Sequence, residues 1–206
     1  GEIATHPERF KGCNSLVMIQ CVGSRDEERP YCSRVCCALA VGNAQRLKEI
    51  YPDMEIYILF RDMRTYGFRE NAYRAAAEAG VKFVRYDIDE KPRVETAKDG
   101  GRDIIRITVK DFTLNRPLVL EADLLALSVA AVPGYHNRTL SRFLKVPLNE
   151  DGFFMEAHMK LRPVDFSTEG VFMCGMAHSP KFIEESIAQA QAAASRAITI
   201  LTKKEM

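Results

Sequence analysis

Residues 16–37, LVMIQCVGSRDEERPYCSRVCC, decide how the fold begins. The largely apolar run LVMIQCVG at residues 16–23 is rich in β-forming side chains, which predicts a buried strand. A polar loop follows, and we predict that a helix begins near Pro30. A buried strand, a loop and a helix in this order are typical of a parallel α/β sheet.

Strands and helices alternate along much of the chain. We predict an antiparallel β-meander between these elements, since Gly100 and Gly101 indicate a tight turn between two strands. The α/β elements around this meander are predicted strands at residues 55–62, 81–88 and 124–130 and a predicted helix at residues 68–79 that stops at Gly80. The predicted fold class is therefore α/β.

The turn after the first strand lacks the residues that bind a dinucleotide. Such a turn has the pattern G-x-G-x-x-G, which lets a helix N-terminus approach a pyrophosphate closely. Here residues 23–28 read GSRDEE, with one glycine of the three, and Asp26, Glu27 and Glu28 would repel phosphate. We therefore predict a degenerate dinucleotide-binding domain that has lost its pyrophosphate site.

The remaining residues are predicted to contain two short strands and a long Ala-rich helix. These elements are GFFMEA at residues 152–157, GVFMCG at residues 170–175 and the helix from about Pro180 to Leu201. A tail of this size could hardly form a core alone, so we assign it to a second, incomplete domain. The predicted domains are residues 1–134 and residues 135–206.

Composition and charge exclude several classes of function. The 206 residues are 47% apolar and 28% charged, with a net charge of +1, which is ordinary for a globular protein. No run of Lys and Arg suggests binding to nucleic acid or a membrane surface, and no apolar stretch reaches the ~18 residues of a membrane span. We expect a cytoplasmic protein, in which reduced thiols favour metal ligation over a disulfide framework.

Four of the six cysteines fall within residues 21–37. Thiolates at this density are ligands for iron-sulfur clusters or zinc. On the predicted helix, Cys32 and Cys36 share one face and Cys37 lies about 100° further round, while Cys21 arrives from the strand. This arrangement favours a cluster, since structural zinc prefers paired C-x2-4-C turns. Zinc and metal-free thiols remain alternatives. The other two cysteines are interpreted as isolated apolar side chains: Cys13 and Cys174.

Residues 21–37 and residues 175–197 (GMAHSPKFIEESIAQAQAAASRA) together resemble the family of heterodisulfide reductase A subunits, which are iron-sulfur flavoproteins. The similarity covers nearly the whole chain. It implies a fold similar to thioredoxin reductase, in which a second dinucleotide-type domain interrupts the FAD domain. The chain would then be a fragment that covers the inserted domain and the C-terminal strands and helix of the FAD domain.

The resemblance also implies cofactors and partners. The family's ligands for a 4Fe-4S cluster match four positions here: Cys21, Cys32, Cys36 and Cys37. FAD is expected in the full-length protein, which would work in anaerobic metabolism with other subunits of a heterodisulfide-reductase-like complex and with ferredoxin-type electron carriers. Some members carry a lysine five residues after the last cysteine, where this chain has Gly42, so no charge is available at that position.

The motif at residues 175–181 is predicted to form the flavin side of the chain. Ser179 and Pro180 are interpreted as the cap and first turn of the final helix, whose free N–H groups suit an anion. In flavoenzymes of the resembled architecture, this helix end faces the pyrimidine side of the flavin ring. The predicted cofactor-binding residues are Gly175, Met176, Ala177, His178, Ser179, Pro180 and Lys181.

An ordinary capped helix is the alternative interpretation of this motif. A histidine such as His178 is more often a hydrogen-bonded polar residue than a proton donor. Lys181 is then a solvated charge that pairs with Glu184 or Glu185 on the same helix. No pattern in the sequence predicts a catalytic residue.

We predict an oxidoreductase module that passes electrons between flavin, a 4Fe-4S cluster and partner subunits. The chain alone is expected to bind FAD weakly and to be inactive, because no G-x-G-x-x-G motif precedes the first strand. Apolar surface around Phe153, Phe154 and residues 171–172 is expected to stay uncovered and to favour a homodimer. The alternatives are a zinc-stabilised, non-enzymatic docking scaffold and a pyridine-nucleotide oxidoreductase.

Overall fold

The structure, a computed structural model, describes residues 2–112 and 115–202, which divide into two compact units. The first unit comprises the chain up to Glu28 and Cys36–Ala130, and the second comprises Arg29–Val35 and the chain from Ala131 onward. The two domains predicted from the sequence stay a prediction. No helix in the described ranges is long and apolar enough to cross a membrane.

The first unit is built on a four-stranded parallel sheet with the strand order β3-β2-β1-β7. Its strands are β1 (Ser15–Val22), β2 (Glu55–Phe60), β3 (Lys82–Arg85) and β7 (Leu124–Val129). Residues 16–21 of β1 are all buried, because this strand has neighbours on both sides and packed layers on both faces. The predicted parallel α/β sheet is therefore confirmed.

The predicted β-meander forms a second, antiparallel sheet with the strand order β4-β5-β6. Its strands are β4 (Arg93–Asp99), β5 (Arg102–Asp111) and β6 (Arg116–Ala122). Gly100 and Gly101 join the first two with φ angles of 54° and 88°, the left-handed conformation that a two-residue hairpin turn requires. Ile107 and Leu120 belong to the core cluster on one face of β1, together with Val17.

Helices cover the other face of the parallel sheet. The helices of this unit are α1 (Glu2–Thr5), α2 (Cys36–Ile50) and α3 (Arg69–Glu78), with a 3-10 turn at Pro7–Phe10. Leu16 and Met18 of β1 share a core cluster with three residues of α2 at the helical spacing i, i+4 and i+7: Ala40, Ala44 and Leu47. As predicted, α3 stops before Gly80, whose φ of 86° does not continue a helix.

The start of α2 differs from the prediction. The helix begins at Cys36, and the start predicted near Pro30 is wrong. Arg34 has a φ of 62°, and a right-handed helix cannot contain a residue in this left-handed conformation. The segment before Cys36 is therefore an irregular loop.

The second unit has a small core and little regular structure. Its helices are α4 (Asn137–Leu144) and α5 (Ile183–Leu201), with a 3-10 turn at Gly175–Ala177. Its buried apolar cluster is Val146, Phe154, Phe166 and Met173. The strands predicted at residues 152–157 and 170–175 are wrong, since these segments form only the isolated bridges Leu148–Phe154 and Asp165–Phe172. Glycines with φ angles of 71° to 89° interrupt both segments: Gly152, Gly170 and Gly175.

The apolar surface predicted around Phe153 and Phe154 is also wrong. These side chains are only 2% and 8% exposed, so they give no support to the homodimer, which stays a prediction. All residues of α5 are described and none of them is buried. Its exposed apolar side chains are Ile183, Ile187, Ile198 and Leu201.

An ion pair connects α5 to the rest of the second unit. The Asp165 carboxylate is almost fully buried and accepts hydrogen bonds from Nη2 and Nε of Arg196 at 3.0 and 3.2 Å. These bonds are the largest cause that lowers the pKa of Asp165, and Arg162 acts in the same direction.

Replacing this carboxylate with Asp165→Asn should lower the free energy of unfolding by about 1.5 to 3 kcal/mol, the usual range for hydrogen bonds to a charged group. Because the pKa of Asp165 is lowered on folding, its contribution is present above the ordinary value near ~3.9 and is lost as pH falls through the lowered value. Urea denaturation at neutral and acidic pH measures both effects. The exposed Glu169 provides the control Glu169→Gln, and equal stability of Asp165→Asn and wild type at neutral pH would contradict the assignment.

Candidate functional site

Cys21 lies next to the end of β1, as the sequence predicts. It is 8% exposed and has a φ of 60°, a conformation that residues other than glycine rarely adopt. The pairing register between β1 and β7 shifts between Ile19 and Val22, so the strand is irregular around this thiol. Nη1 of Arg25 lies 4.0 Å from its Sγ, and Arg25 also pairs with Asp62.

Cys36 and Cys37 are the first two residues of α2, and both are buried. The pKa of the Cys37 thiol is lowered to about 6, chiefly by a hydrogen bond with Cys36, although burial acts in the opposite direction. A backbone hydrogen bond from Arg64 and the positive charges of Arg64 and Arg25 lower it further. Helix N-termini and cationic neighbours favour thiolates, the form in which cysteine binds metals.

Cys32 belongs to the second unit and lies outside any helix. The prediction that it shares a helix face with Cys36 is therefore wrong. The backbone N–H of Arg34 donates to Sγ of Cys32 at 3.2 Å. Its neighbour Ser33 accepts a hydrogen bond from the N–H of Ala131 at 2.9 Å, which holds this segment within the second unit.

The two isolated cysteines behave differently from each other. Cys13 is half-buried, and burial followed by the charge of Asp123 raises the pKa of its thiol. Cys174 is exposed and precedes a 3-10 turn, so its predicted place inside an apolar strand is wrong.

A cavity of about 350 Å³ lies beside Cys21 in the first unit. Its charged lining residues are Asp26 and Lys91, and most of its other lining is apolar. Tyr86 also lines it, and its hydroxyl donates to the carbonyl oxygen of Gln20. Burial raises the pKa of Tyr86 to about 12, so this hydroxyl remains a donor.

The resemblance implies a cluster, and the donor set fits one in its chemistry. All six cysteines lie in the described ranges and none forms a disulfide. Beside Cys21, the Gln20 side chain is fully buried, and neither of its amide atoms has a hydrogen-bond partner among the described residues. Orphaned buried polar groups of this kind are rare and indicate a missing partner. Within residues 2–112 and 115–202, no three His, Cys, Asp or Glu side chains are already gathered as a metal site.

The motif at residues 175–181 leads into α5, but the helix begins later than predicted. Its first residue is Ile183, and the start predicted at residues 179–180 is wrong. The backbone N–H of Phe182 donates to the Glu185 carboxylate at 2.8 Å, which stabilises the helix start at this point. The helix end that was predicted to suit an anion therefore carries a carboxylate of its own.

Gln189 of α5 holds both ends of the motif. Its Oε1 accepts hydrogen bonds from the N–H of Gly175 at 2.9 Å and from Nζ of Lys181 at 2.8 Å. Its Nε2 lies 2.8 Å from Nδ1 of His178, and Nε2 of His178 lies 2.9 Å from Glu156. Because Nδ1 faces donors and Nε2 faces a carboxylate, the partners place the ring proton on Nε2. His178 is thus hydrogen-bonded at both nitrogens.

Lys181 is not a solvated charge, so that interpretation is wrong. It is 8% exposed, and burial lowers the pKa of its ammonium group. Its hydrogen-bond partners are Gln189 and His178, and the Glu185 carboxylate is instead bound by Arg34 at 2.6 Å. Arg34 also donates to the carbonyl oxygen of Pro180 at 3.2 Å. Within the second unit, Arg34 therefore connects the Cys32 segment to the start of α5.

Three residues of this arrangement were not predicted from the sequence: Arg34, Glu156 and Gln189. A long polar side chain in the middle of an Ala-rich helix is a signal that could have identified Gln189. Arg34 carried no local signal, because its partner Glu185 is 151 positions away in the chain.

The fold resembles those of two enzymes of known structure. Thioredoxin reductase from T. acidophilum matches with a TM-score of 0.59 and 17% identity, over 98% of this chain and 57% of that one. L-lysine 6-monooxygenase from Pseudomonas syringae matches with a TM-score of 0.54 and 11% identity, over 97% of this chain and 56% of that one. The predicted thioredoxin-reductase-like α/β fold is confirmed.

No protein-family model matches the chain, but curated relatives do. It is 43% identical over 193 residues to the A subunit of the Ferredoxin:CoB-CoM heterodisulfide reductase of Methanosarcina acetivorans, covering 91% of this chain and 23% of the relative. It is 38% identical over 210 residues to the second iron-sulfur A subunit of the CoB-CoM heterodisulfide reductase of Methanopyrus kandleri, covering 100% of this chain and 31% of the relative. The chain thus spans less than a third of the length of these relatives. The resemblance predicted from the two motifs is confirmed: over the part of these relatives that it spans, this chain is similar to the heterodisulfide reductase A subunits.

Proposed function

We propose that this chain is the electron-transfer part of a heterodisulfide-reductase-like iron-sulfur flavoprotein. In the proposal, the ligands of a 4Fe-4S cluster are Cys21, Cys32, Cys36 and Cys37. The observation that supports it most is the placement of three buried thiols at the end of β1 and the start of α2. A dinucleotide-binding fold binds pyrophosphate at this place.

Two further observations favour an iron-sulfur cluster over structural zinc. Cys36 and Cys37 are adjacent in a regular helix, whereas structural zinc sites use paired cysteines with two to four residues between them on turns. One relative is named an iron-sulfur subunit. When bound, such a cluster supplies one-electron transfer at a potential set by its surroundings. Arg25 and the N-terminus of α2 stabilise the negative charge of the thiolates there.

We place the flavin of the full-length protein against residues 175–181. Gly175 has a φ of 71°, a conformation that residues other than glycine rarely adopt, so this residue sets the backbone path at the start of the motif. Gln189 fixes Lys181 and His178, which supply a buried cation and an imidazole at defined positions. Flavin interconverts one-electron and two-electron transfer, and these residues bind and orient it.

We further propose that the full-length protein is a cytoplasmic oxidoreductase. Its partners would be other subunits of a heterodisulfide-reductase-like complex and ferredoxin-type electron carriers. The names of relatives support these partners, including the A subunit of the H(2):CoB-CoM heterodisulfide,ferredoxin reductase of Methanothermobacter marburgensis. The net charge of +1 gives no basis for a nucleic-acid partner.

The proposal predicts the effect of removing single thiols. In anaerobically prepared protein, Cys32→Ala and Cys36→Ala should each lower iron and labile sulfide from about four per chain to below about one, because a 4Fe-4S cluster needs four thiolates. Cys13→Ala is the matched control and should keep the full content. Circular dichroism identifies any variant that fails to fold, and equal metal content in all three variants would exclude these ligands.

The degenerate turn predicts that NADH and NADPH bind with a Kd weaker than about 1 mM. Asp26 lines the cavity beside Cys21, and the Asp26, Glu27 and Glu28 carboxylates oppose phosphate. Isothermal titration calorimetry measures this, with an NADPH-dependent thioredoxin reductase as positive control. Micromolar affinity for either nucleotide would favour the pyridine-nucleotide alternative.

The three hydrogen bonds of the Gln189 side chain, to Gly175, Lys181 and His178, predict a change in local dynamics. Gln189→Leu removes three hydrogen bonds, so amide exchange within residues 175–182 should accelerate at least about tenfold, at roughly 1 kcal/mol for each bond. Hydrogen-exchange mass spectrometry measures it. The exposed Gln191 of the same helix provides the control Gln191→Leu, which should exchange like wild type. Identical exchange in both variants would show that the hydrogen bonds of Gln189 do not order residues 175–181.

A further inference from the structure

Gln20 is a polar residue in an apolar row. Alternate residues of a strand face the same side, so Gln20 continues the row of Leu16 and Met18 that packs with α2. Its side chain is 0% exposed. Both the amide nitrogen and the amide oxygen lack hydrogen-bond partners among the described residues.

The topology brings this amide to the same end of the sheet as the buried thiols. α2 connects the parallel strands β1 and β2, so it returns along the sheet and begins at the carboxyl end of β1. Cys36 and Cys37, its first residues, therefore lie at the level of Gln20. Cys21 is the next residue of the strand. A buried amide with no partner among the described residues thus lies at the same end of the sheet as three of the proposed ligands.

An unpaired buried amide destabilises a protein unless something else satisfies it. An apolar side chain of similar length would fill the same space without this penalty. A polar residue here is therefore explained if the loaded protein contains a hydrogen-bond acceptor that the chain itself does not supply. The sulfur atoms of a cluster are acceptors of this kind, and hydrogen bonds to them alter its potential.

We propose that the Gln20 amide N–H donates a hydrogen bond to a sulfur atom of the bound cluster and thereby raises its reduction potential. The proposal rests on the proposed function, since it needs the cluster. Reduction adds negative charge to the cluster, so a donor stabilises the reduced form more than the oxidised form. Gln20 is a positioning and tuning residue and not a ligand.

The test compares Gln20→Met with the control Gln45→Met, a glutamine on α2, in anaerobically prepared protein. Gln20→Met should keep its iron and sulfide but shift the potential to a more negative value. We expect a change of about tenfold in the reduction equilibrium, which is about 59 mV for one electron. Redox titration followed by electron paramagnetic resonance measures the shift, and the control should not show it.

A second readout uses the metal-free chain. Without the cluster the amide has no partner among the described residues, so Gln20→Met should raise the urea midpoint of unfolding, and Gln20→Leu should do the same. A lower midpoint in both variants would show that the amide has a protein partner and would overturn the inference. An unchanged potential in a fully loaded Gln20→Met protein would also overturn it while leaving the proposed function intact. Wild-type protein that incorporates no iron and sulfide would overturn both.

Discussion

The burial of β1 on both faces is the constraint on which the first unit depends. This strand pairs with β2 and β7, and its two faces belong to two separate core clusters. Because the residues of this strand are packed on both faces, they fix its position in the sheet. The position of Cys21 near the end of the strand follows from that packing. Its left-handed φ and the shifted register make the strand irregular just before its last residue. The fold thereby places a thiol at the edge where related folds bind their nucleotides.

Phosphates and thiolates are stabilised by the same electrostatic features of a protein. Both are anions, and both are stabilised by a helix N-terminus and by nearby arginines. In this chain the glycines that would let a pyrophosphate approach are absent, whereas α2 still begins beside the sheet with Cys36 and Cys37. In the proposed site, the architecture of a nucleotide-binding turn is kept, and cysteines take the place of the groups that would bind phosphate. This is why a degenerate fingerprint and a cysteine motif occupy the same stretch of sequence.

The sequence predicted the parts of the fold that depend on local pattern. Apolar runs identified the parallel strands, and Gly100 and Gly101 identified the hairpin, because both signals are contained in a few neighbouring residues. Helix starts were less predictable. Pro30 and residues 179–180 have the sequence features of helix N-termini. The left-handed conformation of Arg34 and the hydrogen bond from Phe182 to Glu185 instead make α2 and α5 begin at later residues. The orphaned amide of Gln20 could not be predicted, since it is defined by what surrounds it in three dimensions.

The central proposal is that a 4Fe-4S cluster is bound by four thiolates: Cys21, Cys32, Cys36 and Cys37. Mössbauer spectroscopy of iron-57-enriched protein, prepared anaerobically and assayed in parallel for sulfide and zinc, tests it most directly. The account predicts about four irons and about four sulfides per chain in a single cluster environment, with little zinc. Stoichiometric zinc without sulfide would contradict it and would support the structural scaffold instead.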